Sequence, residues 1–453
     1  MDAYFAGGCF WCITPTFAEL DGVKKVTSGF SGGDEINPTY EDVKNQRTLH
    51  RETIKIEFDE TKVSYKELLD IFLSSVDLFD GEGQYIDRGR SYTLALYYQN
   101  DKEKMIIDER IKEIEKTMGK KVFVSVEPFK SFYEADSYHQ DYYKKNPEEF
   151  EEELIKSGRK KIMAKSKVYF TKEISSKSIL ELYKMLEKDL PGKVAVKVHS
   201  GEVGNQNFIK PQMFKDIIDY VHGTVVECNT AYEGERDTTE KHLKAIKKHG
   251  WVDYYDFDLM DASGPDMVLD IPNGKVIKEN YVGKNLKNYD SMLVLSHFKG
   301  HPMGGYGGAL KQLSIGVASS YGKMHIHTAG SDKEEEKWTA PHDLFLESMA
   351  DAASSVVEYF KGNMAFINVM MNMSVDCDCC AIAEDPCLKD IGVLASLDPI
   401  AIDQACIDLV KKSKDPGVSH FMERVNSRNG IHTIDAATEL GFGKRDYELI
   451  EIK

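Results

Sequence analysis

MDAYFAGGCFWCITPTF, Met1 to Phe17, opens the chain with a short apolar run, a glycine pair, two cysteines three apart and a proline. Tyr4 to Ala6 reads as a buried strand, and Gly7-Gly8 lets the chain turn sharply out of it. Pro15 has no N–H and fits cheaply only in a first helical turn, so a helix is expected to start near Cys12 or Ile13. Cys9 then sits just before the helix, facing free main-chain N–H groups. Those donors and the helix dipole favour a thiolate, with an expected fall in pKa from about 8.5 to about 6. The bland alternative is a buried structural cysteine. One C-x-x-C without a second pair or nearby histidines supplies only two ligands, so redox chemistry is a better reading than a closed zinc site.

Outward from this stretch, residues 2–150 alternate short strands and helices: DAYFA, FAELDG, ETIKIEF, YKELLDIFLSSV, SYTLALYY and KVFVSVEPF. Between the last two, Ile107, Ile111, Ile114 and Met118 share one face of a helix expected near Lys102 to Met118, with Gly119 as its C-terminal cap. In ETIKIEF, Glu52, Ile54, Ile56 and Phe58 alternate onto one strand face, so Glu52 continues an apolar face inward. Burial disfavours its charged form, as an acid catalyst at neutral pH requires. An exposed edge carboxylate is the alternative.

GGCFWC is followed in order by SGFSGGDEINPTYEDV, TLHRETIKIEFD, GQYIDRGRSYTLALYY and SYHQDYYKKNP. Together these five motifs, over the first third of the chain, closely resemble peptide methionine sulfoxide reductase A. The resemblance implies reduction of methionine S-sulfoxide, free or in proteins, through a sulfenic acid on Cys9, with no cofactor and with thioredoxin or a similar thiol as reductant. It implies Glu52 as proton donor, Tyr40 and Tyr92 as phenols on the sulfoxide oxygen, Asp87 as the site's acidic member, and Phe10 and Trp11 as the apolar wall for the substrate methyl. His139 is read as a positioning residue. No cysteine follows His139 before Cys228, so Cys12 or an external thiol resolves the sulfenic acid. RGRSYTLA also lacks the arginine that many relatives carry directly after the tyrosine.

The stretch Lys144 to Lys167 ends in a polar linker, and Met163 reads as the start of a once-separate chain with its first strand at Val168 to Phe170. The expected division is 1–158 and 159–453: an α+β two-layer sandwich with a mixed sheet, then an α/β domain with a mostly parallel sheet. Nearly continuous apolar strands between amphipathic helices carry the second expectation. Cys377, Cys379, Cys380 and Cys387 fall within eleven residues, with Cys406 on the next helix. They are expected to hold zinc or an iron–sulfur cluster rather than to be inert thiols, although adjacent Cys379 and Cys380 point differently and the ferredoxin spacing is absent.

His297 and His301 in SHFKGH, and His325 and His327 in MHIHTAG, are further candidate ligands, the latter as a strand-borne H-x-H pair. The run GHPMGGYGGALKQ reads as a tight turn or as an anion-facing helix start. These elements, with CDC before DIGVLASLDPIAIDQA, resemble an uncharacterised prokaryotic family, domain of unknown function 362, often associated with iron–sulfur proteins.

The chain has 453 residues, enough for two or three domains, and a net charge of -17, which disfavours nucleic acid and anionic membranes as partners. Neither a secretory signal nor a membrane-spanning run is apparent, and eight sparse cysteines suit a reducing cytoplasm. A metal-binding or redox-sensing module, its first unit a thiol switch, is the other functional class.

Overall fold

A computed structural model describes residues 1–18, 20–157, 165–331, 333 and 338–452. The chain forms two compact units, Met1–Ala164 and Lys165–Lys453. The expected division after residue 158, the end of the linker and Met163 lie outside the described residues.

In the first unit, β1 (Asp2–Ala6), β2 (Val23–Ser31) and β3 (Arg51–Phe58) precede a two-residue ribbon, β4 (Gly83–Gln84) and β5 (Asp87–Arg88). β6 (Leu94–Tyr98), β7 (Val124–Pro128) and β8 (Tyr133–Glu134) follow. The main sheet runs β7-β6-β1-β3-β2-β8, with β6 and β7 parallel and every other neighbour antiparallel. This is the α+β mixed-sheet architecture that the sequence implied. β2 was not anticipated as a strand, because a bulge between Val23 and Lys25 breaks its alternation where two lysines are exposed.

One sheet face packs under helices, with Phe5, Phe10, Phe17, Ile54, Ile56 and Phe72 in a continuous core. The other face carries Tyr4 and Tyr97, covered by Phe129 and Phe132; the Tyr4 and Phe129 rings stack at 4.0 Å. The helix Asp101–Met118 is capped by the Asn100 side chain and ends at Gly119 with φ 61°, a left-handed geometry that glycine adopts cheaply.

In the second unit, β9 (Ser166–Thr171), β10 (Val194–Lys197), β11 (Thr224–Glu227) and β12 (Phe257–Leu259) are followed by a hairpin, β13 (Met267–Asp270) with β14 (Glu279–Val282). β15 (Ser291–His297) leads into a second hairpin, β16 (Lys299–His301) with β17 (Gly305–Gly307), before β18 (Met364–Met370), β19 (Gly392–Ser396) and β20 (Tyr447–Glu451). The eight-stranded sheet runs β12-β11-β10-β15-β18-β19-β9-β20. Only β19 is antiparallel to its neighbours, so the sheet is mostly parallel.

From β10 the chain steps outward to β11 and β12, then crosses back to β15 on the other side of β10. The crevice beyond the carboxyl ends of β10 and β15 is therefore the topological switch point of the sheet.

One local expectation is corrected here, and the tight-turn reading of the glycine run is met. MHIHTAG is not a strand: Ser319 accepts the N–H of Gly322 and caps a helix over Ser320–His327, so His325 and His327 leave different faces. The glycine run forms the β16–β17 hairpin, and the helix start after it, at Ala309 and Leu310, is filled by the protein's own Asp403 carboxylate at 2.8 and 3.0 Å.

Candidate functional site

The helix of the first motif spans Phe10–Ala18, two to three residues earlier than expected, with Pro15 inside it. The start is set from afar: Glu52 on β3 accepts the Phe10 N–H at 3.0 Å. Thr14 adds a hydrogen bond back to the Phe10 carbonyl at 2.7 Å. Glu52 is 2% exposed and heads the buried face of β3 with Ile54, Ile56 and Phe58.

Cys9 precedes Phe10, partly exposed, while Cys12 is buried. The Cys9 thiol is held well above the ordinary thiol value, first by a hydrogen bond with the Cys12 side chain, then by burial and by the nearby Glu52 and Asp87 carboxyls. The expected depression to about 6 is therefore corrected. The N–H that would have favoured a thiolate is already bonded to Glu52, and acidic neighbours oppose charge on sulfur.

Tyr40 opens the short helix Tyr40–Lys44, whose start is fixed by a capping box between Thr39 and Asp42. Its ring lies 6.3 Å from those of Phe10 and Trp11 and 4.2 Å from that of His139. Tyr92 closes a one-turn helix, Arg90–Tyr92, tied down by Gln46, which donates to Ser91 Oγ at 2.6 Å and accepts the Ser91 N–H at 3.2 Å. Both phenols are raised, by burial first and then by Glu52, and both also feel Cys9 and Asp87. Cys9, Glu52, Tyr40, Tyr92 and Asp87 thus share one electrostatic neighbourhood. Trp11 stacks flat on Tyr142 at 3.9 Å and on His139 at 5.5 Å, forming an aromatic wall beside the two cysteines. His139 makes ring contacts there; burial lowers its pKa.

In the second unit, the sulfurs of Cys377 and Cys379 and a ring nitrogen of His301 lie within 4.8 Å of one another, while Cys380 and Cys387 are outside that group. Cys387 Sγ donates to the Met373 carbonyl at 3.4 Å. The donors fit a metal poorly. His301 Nδ1 accepts the N–H groups of Gly304 at 2.8 Å and Met303 at 3.2 Å, so the proton of this neutral ring sits on Nε2, the atom 4.0 Å from Cys379 Sγ. His199 repeats the pattern, its Nδ1 accepting from Gly201 at 3.1 Å while its side chain hydrogen-bonds to Cys377. Imidazole donors and the Cys379 N–H, at 3.4 Å, thus converge on Cys377. His297 is no ligand either: Asp378 and the Met371 carbonyl engage its two nitrogens at 2.9 and 2.6 Å.

The family model Peptide methionine sulfoxide reductase matches residues 1–183. The peptide methionine sulfoxide reductase MsrA of Bacillus velezensis is 42% identical over 159 residues, covering 35% of this chain and 90% of the relative. Through its first unit, the chain belongs to the peptide methionine sulfoxide reductase family. It is an oxidoreductase, and its first unit acts on methionine sulfoxide. The solved methionine sulfoxide reductase A of Corynebacterium diphtheriae is 27% identical, with a TM-score of 0.30 over 32% of this chain and 74% of that one. Residues 194–408 match Domain of unknown function (DUF362). The lactate racemase apoprotein of Thermoanaerobacterium thermosaccharolyticum is 12% identical, with a TM-score of 0.32 over 63% of this chain and 82% of that one.

The reductase unit also uses residues that the sequence did not single out. Arg51, 2% exposed, bonds Thr93 Oγ1 at 2.9 Å, the Tyr97 hydroxyl at 3.1 Å and Ser125 Oγ at 3.2 Å, and pairs with Glu127 at 3.0 Å. It clamps β3 to β6 and β7, one residue from Glu52 and, through Thr93, one residue from Tyr92. The strand RETIKIEF carries a second cation, Lys55, so the sequence alone did not mark Arg51 as the buried one. Gln46 and Tyr142 fix Tyr92 and Trp11 and are likewise unmarked.

Proposed function

We propose that the first unit reduces the S epimer of methionine sulfoxide, free or in proteins. Cys9 Sγ attacks the sulfoxide sulfur while Glu52 gives a proton to the oxygen, and Tyr40 and Tyr92 donate hydrogen bonds to that oxygen as its charge grows. Phe10 and Trp11 wall the methyl group, and Asp87 completes the polar side of the site. The protonated oxygen leaves the substrate sulfur as water while a Cys9–sulfur bond forms; water then attacks Cys9 Sγ, that bond breaks, methionine leaves, and Cys9 is left as a sulfenic acid. Cys12 then attacks Cys9 sulfur, releasing water and closing a disulfide that thioredoxin or a similar cytoplasmic dithiol reduces. A direct attack of the external thiol on the sulfenic acid is the competing route. Thiols supply every electron, so the reaction takes no cofactor.

The observation that carries this reading is the Phe10 N–H to Glu52 bond, which sets a buried carboxyl one residue from Cys9. Turnover of each sulfoxide epimer with dithiothreitol tests it: the S epimer yields methionine, and Cys9→Ser yields none. Mass measurement after one turnover without reductant separates the resolving routes, since loss of two hydrogen atoms marks the Cys9–Cys12 disulfide and gain of one oxygen marks the unresolved sulfenic acid.

For the second unit, the reading is a thiol redox companion built on Cys377 and Cys379, supported by their proximity and their imidazole donors. Zinc or iron–sulfur content in anaerobically purified protein, lost in Cys377→Ser, would instead favour the metal-binding reading.

A further inference from the structure

A cavity of about 900 Å³ of empty space, including its open mouth, lies wholly in the second unit, at the carboxyl ends of β10, β11 and β15. It is the crevice that the strand order marks as the switch point, where open α/β sheets hold ligands. Its walls carry five cations, Lys197, Arg236, Lys299, Lys311 and Lys323, in a chain whose net charge is -17.

Three of these cations are matched by protein carboxylates. Arg236 pairs with Glu202 at 3.2 Å and Glu227 at 3.6 Å, Lys197 lies 4.0 Å from Glu227, and Lys299 meets Asp378 at 3.0 Å. The other two have no carboxylate within ion-pair distance among the described residues. Lys323, 8% exposed, donates to the Ala318 carbonyl at 2.5 Å, and Lys311 is a partly exposed lining residue. Burial drives Lys197 down to about 8 and lowers Lys323, so both ammonium groups gain from a negative charge brought beside them. The cavity histidines His199, His301 and His327 are held neutral by burial, each lowered to about 4, and add no charge at neutral pH.

We propose that this cavity binds a small organic molecule bearing two negative charges, as a phosphoryl group or paired carboxylates. Lys311 and Lys323 supply the counter-charge, and Pro302, Met303 and Ile315 receive the apolar body. Gly307 keeps the wall thin: a Cβ there would touch Lys299 Cε and Lys311 Cδ, each at 3.5 Å. The site is distinct from the helix start at Ala309, which Asp403 already fills.

The test is titration calorimetry of the full chain with phenyl phosphate, glutarate and inorganic phosphate, at constant ionic strength against sodium chloride. One saturable site for phenyl phosphate or glutarate is expected, weakened about tenfold or more in Lys311→Met and in Lys323→Met and unchanged in Lys389→Met on the surface. Fluorescence of buried Trp251 reports whether each variant is folded, and sulfoxide reduction with dithiothreitol continues in all three. Three results overturn the proposal: no saturable binding of any probe, binding of inorganic phosphate alone, or full affinity in both cavity variants.

Discussion

Glu52 Oε2 accepts the main-chain N–H of Phe10 at 3.0 Å, joining the start of β3 to the first turn of the first helix across 42 residues. Because Cys9 directly precedes Phe10, one hydrogen bond fixes both the carboxyl and the approach of the sulfur. In the proposed reaction, the orientation of these two groups is thereby set before substrate arrives.

The first prediction separates acid from scaffold. Glu52→Gln keeps an oxygen for the Phe10 N–H and loses the acidic proton, so kcat/KM for the S-sulfoxide is expected to fall by roughly 10²–10⁴ with the fold intact by near-UV circular dichroism. A rate within a few-fold of the parent would remove Glu52 from the chemistry.

A second concerns Cys9 before substrate binds. With Cys12, burial and two carboxyls holding the thiol up, its alkylation by iodoacetamide is expected to keep accelerating through pH 9, by up to about tenfold per pH unit. A rate already level at pH 7 would mean a resident thiolate. Peptide mapping of the alkylated chain reads Cys9 alone, with Cys12 left in place.

Arg51→Met leaves Glu127 and three hydroxyls without their common donor inside the sheet. The expected cost is about 3 kcal/mol in urea unfolding of the first unit, larger than any exposed pair would show. Loss below about 1 kcal/mol would mean that water replaces the guanidinium freely.

The fourth prediction is a pH dependence in the second unit. His327 donates its Nδ1–H to the Lys323 carbonyl at 2.6 Å, stacks on Phe345, and is pushed down to about 4 by burial. Its folded value lies below its unfolded one, so the unfolded chain binds the extra proton between about pH 6.5 and pH 4. Stability from this group is complete above pH 6.5 and is lost as the pH falls through that window, by at most about 1.4 kcal/mol per pH unit. Asp403, raised to about 6 chiefly by burial, works in the opposite direction over part of the range. Comparison with His327→Phe cancels that contribution: the stability gap between parent and variant should shift toward the variant as pH drops from 7 to 5. An unchanging gap would refute it.

The sequence made local features legible where short-range chemistry decides them: the β3 alternation through Glu52, the helix ending at Gly119, the apolar parallel strands. It misplaced the first helix start because that boundary is drawn by a carboxyl 42 residues away. His325 and His327 suggested a strand because four residues of alternating type cannot distinguish a period of 2 from one of 3.6, and the Ser319 cap decides. The four-cysteine cluster suggested shared ligation, but nearness along the chain did not carry Cys387 to Cys377. The cavity's charged groups were written in plain view, as Lys197 and Glu227 at the ends of apolar strands, but their convergence depends on the strand order.

β9 and β20, the first and last strands of the second unit, lie side by side in parallel register, Ser166 opposite Tyr447 and Phe170 opposite Glu451. The terminal strand therefore acts as a selvedge for the whole sheet. Trimming the chain before Tyr447 would lay bare the backbone of β9 over Val168 and Phe170, turning a finished seam into a border ready to recruit strands from other molecules.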